Sequence, residues 1–151
     1  MIEDKQFLKI INLTPLVSID FIIKNQKGNF LLGKRTNRPA QNFWFVPGGI
    51  IRKNETITKA IERISLAELG TTLLITDVQL SGTFDHIYHD NFAGVEGINT
   101  HYVVLAYKIT IADNIEIVRD DQHSEIKWWS KNELLNAHDV HENTKAYFTH
   151  M

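Results

Sequence analysis

The sequence predicts a mixed α+β fold, because segments with strand periodicity surround a small number of helices. Leu16–Ile23 alternates between two faces with the two-residue period of a β-strand. Asn25–Asn29, in which Gly28 is free to adopt a positive φ, predicts a hairpin turn. The returning strand is expected at Phe30–Arg35, so this part of the sheet is antiparallel.

The remaining elements are predicted from the same periodicities. A short helix is expected at Glu3–Ile11, and a short aromatic strand at Phe43–Val46. Further along the chain, apolar and alternating segments predict three more strands, followed by two short helices. These five elements are expected at Val78–Tyr88, His101–Ile111, Ile126–Trp129, Lys131–Ala137 and Glu142–Phe148.

Length and composition exclude several classes of protein. The 151 residues contain no repeat or linker and predict one domain spanning residues 1–151. The formal net charge of −2 provides no basic field for nucleic acid. The absence of cysteine excludes disulfides, thiol nucleophiles and Cys-ligated zinc, and it suits a cytoplasmic protein. No apolar run reaches the ~18–20 residues of a membrane span, and no signal-peptide core is present, so membrane insertion and secretion are not expected.

A loop and helix between Gly48 and Gly70 form the most informative segment. Pro47-Gly48-Gly49 predicts a sharp break in the chain. Asn54 is the expected helix N-cap, with Glu55 in the acidic first turn. The helix is expected to run to about Leu69, with Gly70 as its C-terminal cap.

Glu68 falls within the apolar stripe of this helix. A carboxylate there is costly to bury unless it is paired, hydrogen-bonded or bound to a metal, and the alternative is that it reaches solvent from the last turn. Arg63 lies about 140° around the helix from Glu68, so the two side chains do not simply pair. Gly48-Gly49 permits close approach to a ligand and lets a main-chain carbonyl face a metal. The stripe is expected to contain Ile57, Ala60, Ile61, Ile64 and Ala67.

The spacing of Gly49, Glu55, Arg63, Glu68 and Gly70 resembles the Nudix box, G-x5-E-x7-R-E-U-x-E-E-x-G-U. This resemblance implies the Nudix fold, an α/β/α sandwich with a mixed sheet. The sequence departs from the pattern at four positions, two of which normally carry carboxylates that help to hold metal ions. The departures are Ile64, Ser65, Ala67 and Thr71.

A longer set of segments resembles the GDP-mannose mannosyl hydrolases, a divergent branch of the Nudix superfamily. These segments are PLVSIDFII, FLLGKRTNRPAQNFWFVPGG, AELG, DNF, THYVVL and DDQH, and the resemblance extends from Phe7 to Phe148. The branch carries aliphatic and Ala residues at the positions of Ile64 and Ala67. It implies Mg²⁺-dependent hydrolysis of GDP-mannose, or a related GDP-hexose, to GDP and free sugar. Water attacks sugar C1 with inversion, and relatives are homodimers.

The same resemblance implies a set of metal ligands and a general base. The ligands are the Gly48 carbonyl, the Glu68 carboxylate and the Gln122 side-chain carbonyl. All are oxygen donors that suit Mg²⁺, and Mn²⁺ accepts the same donors. His123 matches the general base, since a neutral His can accept a proton from water near neutral pH. The alternative for His123 is a surface histidine in a polar loop.

Substrate contacts are also implied by the resemblance. Arg35 and Arg63 are candidates for the diphosphate and for charge on the departing GDP, with exposed surface arginines as the alternative. Asp20 is unusual as an acidic residue inside a strand, and the resemblance implies that it contacts the substrate, on the sugar or the guanine. His86 and Tyr88 share a strand face and, with Tyr102, would surround mannose and phosphates; core-edge packing is the alternative for both tyrosines. Phe7 would stack on guanine, or pack as an ordinary helix aromatic.

Two other functions remain open from the sequence. The first is a conventional Nudix pyrophosphohydrolase that attacks phosphorus. The second is a catalytically silent module that binds nucleotide sugars or a protein; retention of Glu68, Arg63 and the Gln122-His123 pair argues against it. Ile50 stands where relatives carry a basic residue, and the loop His89–Thr100 is one residue longer than theirs. Neither the preferred GDP-sugar nor the choice between Mg²⁺ and Mn²⁺ follows from the sequence.

Overall fold

The computed structural model describes residues 3–113, 115–118, 123–149 and 151. Helices and strands occur in the predicted order, with one additional strand. The helices are α1 (Asp4–Leu13), α2 (Ile57–Leu69), α3 (Lys131–Asn136) and α4 (Glu142–Lys145). The strands are β1 (Leu16–Lys24), β2 (Phe30–Arg35), β3 (Trp44–Phe45), β4 (Gly48–Ile50), β5 (Gln79–Tyr88), β6 (Thr100–Thr110) and β7 (His123–Trp129).

The seven strands form one mixed sheet that forks along β1. One edge of β1 pairs in parallel with β6, and the remaining strand pairings are antiparallel. The other edge of β1 pairs with β2 only at Lys24 and with β4 from Ser18 to Asp20. Beyond the hairpin, β2 leaves β1 and pairs with β3 and β7. The fork therefore brings β4 and the end of β2 to the same part of the sheet.

Two apolar layers cover the two faces of the sheet, as the alternation of β1 predicts. Ile19, Phe21 and Ile23 of β1 pack with the buried face of α2. Ile22 points the other way and lies in a second core with Leu134 of α3 and with Phe148. This arrangement, a mixed sheet between α2 and the C-terminal helices, confirms the predicted α+β sandwich. None of the described helices has the length and apolar character that crossing a membrane requires.

The prediction of a break at Pro47-Gly48-Gly49 was wrong, since Gly48–Ile50 forms β4 along β1. The reason is the missing side chain of Gly48. A Cβ at Gly48 would lie 2.1 Å from Asp20 Oδ1 and 2.5 Å from the carbonyl oxygen of Ile19. The glycine thus permits a close strand pairing. The same glycine pair, judged from the local sequence alone, predicts a turn.

The start of α2 also differs from the prediction. The N-cap is Thr56, whose side chain accepts a hydrogen bond from the Lys59 N–H at 3.2 Å. Asn54 instead adopts φ 64°, and Glu55 precedes the helix with its carboxylate bound by Arg63. Gly70 closes the helix with φ 73°, as predicted.

The buried stripe of α2 is rotated relative to the predicted one. Ile57, at the first position of the helix, and Ala67 are exposed. Ser65 replaces them in the interior, where its hydroxyl accepts a hydrogen bond from the Leu73 N–H at 2.8 Å. Glu68 lies on the buried face, as its angular position predicts. The buried residues are Ala60, Ile61, Ile64, Ser65, Glu68 and Leu69.

Candidate functional site

Asp20 lies at the fork of the sheet, on β1 and directly opposite Gly48. Its Oδ2 accepts a hydrogen bond from the Tyr147 hydroxyl. Burial raises the pKa of Asp20 to about 7, although the Tyr147 hydrogen bond and the charge of Arg35 act in the opposite direction. The carboxyl group therefore changes charge near neutral pH, at the place where two branches of the sheet separate.

A group of packed rings, here called the aromatic cluster, adjoins Asp20. His86 is at its centre and is only 4% exposed. The His86 ring centroid lies 5.2 Å from that of Tyr147 and 6.5 Å from that of Tyr88. The members of the cluster are Phe45, Phe84, His86, Tyr88, Tyr102, His141 and Tyr147.

His86 is held in the cluster as a neutral ring. Burial lowers its pKa to about 4, and nearby His141 acts in the same direction. Its Nε2 atom is buried and has no hydrogen-bond partner among the described residues. A buried polar atom of this kind normally has a partner, so Nε2 is available to a bound ligand.

The two predicted tyrosines lie in the same cluster. The rings of Tyr88 and Tyr102 meet edge to face at 5.9 Å. Burial raises the pKa of both hydroxyls, which stay protonated at neutral pH. His86 and Tyr88 occupy the same face of β5, as their spacing predicts.

Arg35 joins the end of β2 to this cluster. Its guanidinium carbon lies 5.6 Å from the centroid of the Phe45 ring, and its Nε donates a hydrogen bond to the carbonyl oxygen of Pro39 at 3.1 Å. Burial raises the pKa of Asp20 and of Tyr102, and the positive charge of Arg35 offsets part of this effect. The structure thus brings together five of the predicted site residues: Asp20, Arg35, His86, Tyr88 and Tyr102.

Arg63 has a different environment. Its Nε lies 2.6 Å from Glu55 Oε2, while its Nη2 donates to Glu55 Oε1 at 2.9 Å and to the carbonyl oxygen of Ile50 at 2.8 Å. The hydrogen bond with Arg63 lowers the pKa of Glu55 to about 2. Arg63 therefore ties the segment before α2 to the end of β4. Its contact with a diphosphate stays a prediction.

The described candidates for metal binding fit a hard cation with few charged ligands. Glu68 is buried on the face of α2 that contacts β4. Ile64, one turn earlier on the same face, lies so close to β4 that a Cβ added at Gly49 would be 3.3 Å from it. A carboxylate and the main-chain carbonyl of Gly48 are oxygen donors that suit Mg²⁺. Within the described ranges, no group of three His, Asp or Glu side chains is placed to hold a metal ion.

Gln122 and His123 lie just before and at the start of β7, respectively. Gln122 lies outside the described residues. The main chain of His123 begins β7, and its Cα is paired in register with that of Arg35. The main chain at the proposed base therefore lies beside Arg35.

Phe7 belongs to a separate region. Its ring centroid lies 5.2 Å from that of Phe92, in the loop that joins β5 to β6. In the part of the chain that the structure describes, no ring contact joins Phe7 to the aromatic cluster. The loop is shaped by fully buried Asn91, whose Nδ2 donates to the carbonyl oxygens of Val95 and Ile98, both at 2.8 Å.

Three residues of the C-terminal segment were missed by the sequence analysis. They are His141, Asn143 and Tyr147, all placed near Asp20 or Tyr88 by the turn around α4. Their segment was predicted only as a short helix. The mixture of polar and aromatic residues in His141–Phe148 is the one signal that could have indicated a site.

The family model for the NUDIX domain matches residues 14–150. The low-salt glycan biosynthesis protein Agl8 of Haloferax volcanii is 43% identical over 128 residues, which are 83% of this chain and 78% of that protein. The nucleoside triphosphatase NudI of Enterobacter sp. is 29% identical over 133 residues, 85% of this chain and 90% of that one.

Solved structures of MutT and Nudix proteins have the same fold as this chain. The MutT protein of Methanosarcina mazei superposes with a TM-score of 0.70 at 20% identity, covering 91% of this chain and 94% of that one. The MutT NUDIX hydrolase of Burkholderia pseudomallei superposes with a TM-score of 0.68 at 24% identity, covering 89% of this chain and 96% of that one. Since the family model spans almost the whole chain and the fold agrees, this protein belongs to the Nudix hydrolase family.

Proposed function

We propose that this protein hydrolyses GDP-mannose, or a related GDP-hexose, to GDP and free sugar. Water attacks sugar C1 with inversion, in a reaction that depends on a divalent cation. The observation that carries this proposal is the aromatic cluster beside Asp20 and Gly48. Ring faces combined with neutral hydroxyl and imidazole groups and with the Asp20 carboxyl group suit the apolar faces and hydroxyls of a hexose. The 43% identical relative named for glycan biosynthesis adds support.

The Nudix box of this chain lacks two of the usual carboxylates, and this supports attack at carbon rather than phosphorus. Ile64 and Ala67 stand where the box usually has carboxylates, which leaves Glu68 as the acidic ligand of α2. Mg²⁺, or Mn²⁺ in its place, would be held by the Gly48 carbonyl, Glu68 and Gln122. When bound, such a cation neutralises the negative charge that grows on the leaving diphosphate.

The two arginines act at different places in this proposal. Arg35, beside Asp20 and Tyr102, offers a planar guanidinium to the diphosphate. Arg63 is engaged by Glu55 and by the Ile50 carbonyl, so it holds β4 against α2 and thereby positions Gly48. If Arg63 contacted phosphate directly, its guanidinium would have to bind phosphate and Glu55 together, or exchange its hydrogen bonds with Glu55 for bonds with phosphate.

The histidines also divide their roles. His123, which begins β7 opposite Arg35, takes the proton from the attacking water as general base. His86 is the weaker base, because burial holds its pKa near 4. Its unpartnered Nε2 is better suited to a hydrogen bond with a sugar hydroxyl, next to Asp20, Tyr88 and Tyr102. Phe7 would contact guanine outside the aromatic cluster.

The decisive experiment is hydrolysis of a panel of nucleotide sugars with Mg²⁺ in ¹⁸O-labelled water. GDP and labelled free sugar are the expected products. Label in a phosphate product would instead establish attack at phosphorus, a second candidate that the name of the triphosphatase relative favours. Tight binding without turnover would indicate a silent binding module.

Variants test the assigned roles. His123→Ala should lower kcat, whereas His138→Ala, at an exposed turn after α3, should leave it unchanged. Glu68→Gln should weaken activation by Mg²⁺. Unchanged turnover in His123→Ala would remove His123 as the base. Homodimer formation is part of the same proposal, and a light-scattering mass near that of a monomer would count against it.

A further inference from the structure

The position of Asn143 is fixed by the turn that starts α4. The Asn143 N–H donates to Nδ1 of His141 at 3.0 Å, which orients the His141 ring. That ring stacks on Phe45 at 5.2 Å with an interplanar angle of 22°, and its centroid lies 5.0 Å from that of Tyr88. At the other end of the turn, Tyr147 is hydrogen-bonded to Asp20. The turn is therefore attached on both sides to the aromatic cluster.

The side chain of Asn143 interacts with the Tyr88 hydroxyl and lowers the pKa of Tyr88, against the larger effect of burial. Its Nδ2 is buried, and among the described residues no acceptor, the Tyr88 oxygen included, lies within hydrogen-bonding geometry of it. The same is true of His86 Nε2, on the neighbouring ring along β5. Folded proteins leave few buried polar atoms without partners, so two of them next to Tyr88 indicate a ligand that supplies the missing groups.

The chemistry of this place favours a sugar over a phosphate. Asn143, Tyr88 and His86 are neutral at pH 7, and the charges that act on Tyr88 come from the acidic Asp20 and from Arg35. The diphosphate is matched by the guanidinium of Arg35, whereas the neutral groups of Asn143, Tyr88 and His86 match sugar hydroxyls, which both donate and accept. The aromatic rings provide the apolar surface that a hexose face covers.

We propose that Asn143 donates a hydrogen bond to a hydroxyl of the hexose, so that the turn at α4 determines which sugar is accepted. This inference rests on the proposed function, since it names a further contact in the same site. Neutral donors of this kind discriminate between sugar epimers, because the wrong epimer leaves a buried polar atom without its partner.

The test compares binding of GDP-mannose, GDP-glucose and GDP by calorimetry, in the presence of Mg²⁺ and in a His123→Ala background that suppresses turnover. Asn143→Leu removes the donor and keeps the branching and the number of side-chain heavy atoms. We expect the Kd of the preferred GDP-hexose to rise about tenfold, the ratio between the two epimers to move towards one, and the Kd of GDP to change less than about twofold. Asn132→Leu, on the exposed side of α3, is the matched control and should change none of these values.

Each alternative outcome is distinct. An unchanged Kd and epimer ratio in Asn143→Leu would overturn the assignment. An equal loss of affinity for GDP and GDP-hexose would overturn it as well, since Asn143 would then act on the nucleotide or the fold. Asn143→Asp, which keeps the shape and loses the donor, repeats the measurement if the Leu variant unfolds. If the protein with native Asn143 binds GDP-hexose no more tightly than GDP, the inference fails, whatever products the labelled-water experiment gives.

Discussion

Gly48→Ala tests how closely β4 must lie on β1. The added Cβ would sit 2.5 Å from the Ile19 carbonyl oxygen and 2.1 Å from Asp20 Oδ1, whereas ordinary contact begins at 3.4 Å. Asp20 can turn only by giving up its bond to Tyr147, and the Ile19 carbonyl belongs to a buried strand. The collision must therefore move β4 away from β1 by roughly 0.9 Å.

The expected cost follows from the contacts that such a shift disturbs. Overpacking of this kind costs about 1–3 kcal/mol. Each weakened hydrogen bond between β1 and β4 adds roughly 1 kcal/mol. We expect the free energy of unfolding to fall by about 3 kcal/mol, and Tm by about 6–12 °C for a chain of this size. The concentration of Mg²⁺ needed for half-maximal activity should rise, since Gly48 is a proposed ligand.

Urea unfolding followed by tryptophan fluorescence measures the stability, and Gly49→Ala is the matched control. A Cβ at Gly49 would meet only side-chain carbons of Ile64, the nearest at 3.3 Å, and these can move. We expect that variant to stay within about 1 kcal/mol of the wild-type protein. Equal stability of the two alanine variants would refute the close pairing of β4 with β1.

Three further predictions concern groups buried around the site. Tyr147→Phe leaves Asp20 without its hydrogen bond and should lower stability by about 1–3 kcal/mol, which urea unfolding at pH 7 would show; an unaffected variant would argue that the bond contributes nothing. Glu55→Gln should cost about 1–3 kcal/mol at pH 7 by breaking the pair with Arg63. Because the folded pKa of about 2 is below the ordinary 4.5, the wild-type advantage should be present above pH 4.5 and disappear as pH falls towards 2; a pH-independent difference would contradict the ion pair. His86 has a folded pKa of about 4 against an ordinary 6.5, so unfolded chains take up its proton first. Relative to His86→Leu, the wild type should therefore lose up to about 3 kcal/mol between pH 6.5 and pH 4, and parallel stability curves would show that His86 is not buried as a neutral ring.

The parts of the fold that depend on local pattern were predictable from the sequence. The alternation of β1 assigns Ile19 and Ile22 to opposite cores, and the bounds of β2 agree with the structure. Features that depend on distant partners were not. Gly48–Ile50 is a strand because β1 accepts it, and Thr56 replaces Asn54 as the N-cap while Glu55 is bound by Arg63, eight residues away.

The candidate site shows the same division. Asp20, His86 and Tyr88 were predicted through the resemblance to the GDP-mannose mannosyl hydrolases. The unusual acidic residue inside a strand and the shared face of His86 and Tyr88 on β5 supported that prediction. Tyr147 could not be connected to Asp20, since 127 residues separate them and no periodicity links them. Asn143 carries no signal of its own, because its importance arises only when α4 turns it towards Tyr88.

The parallel pairing of β1 with β6 has a consequence for how the chain folds. Leu16 pairs with Tyr102 and Lys24 with Thr110. One edge of β1 therefore stays unpaired until β6, which is synthesised much later, is available. Closing so long a loop slows folding relative to a helical protein of equal size. Until β6 pairs with it, the apolar strand β1 has an unpaired edge with which strands of other chains can pair. Changes in β6 that slow this pairing should therefore increase aggregation during expression, even where the finished protein is as stable as before.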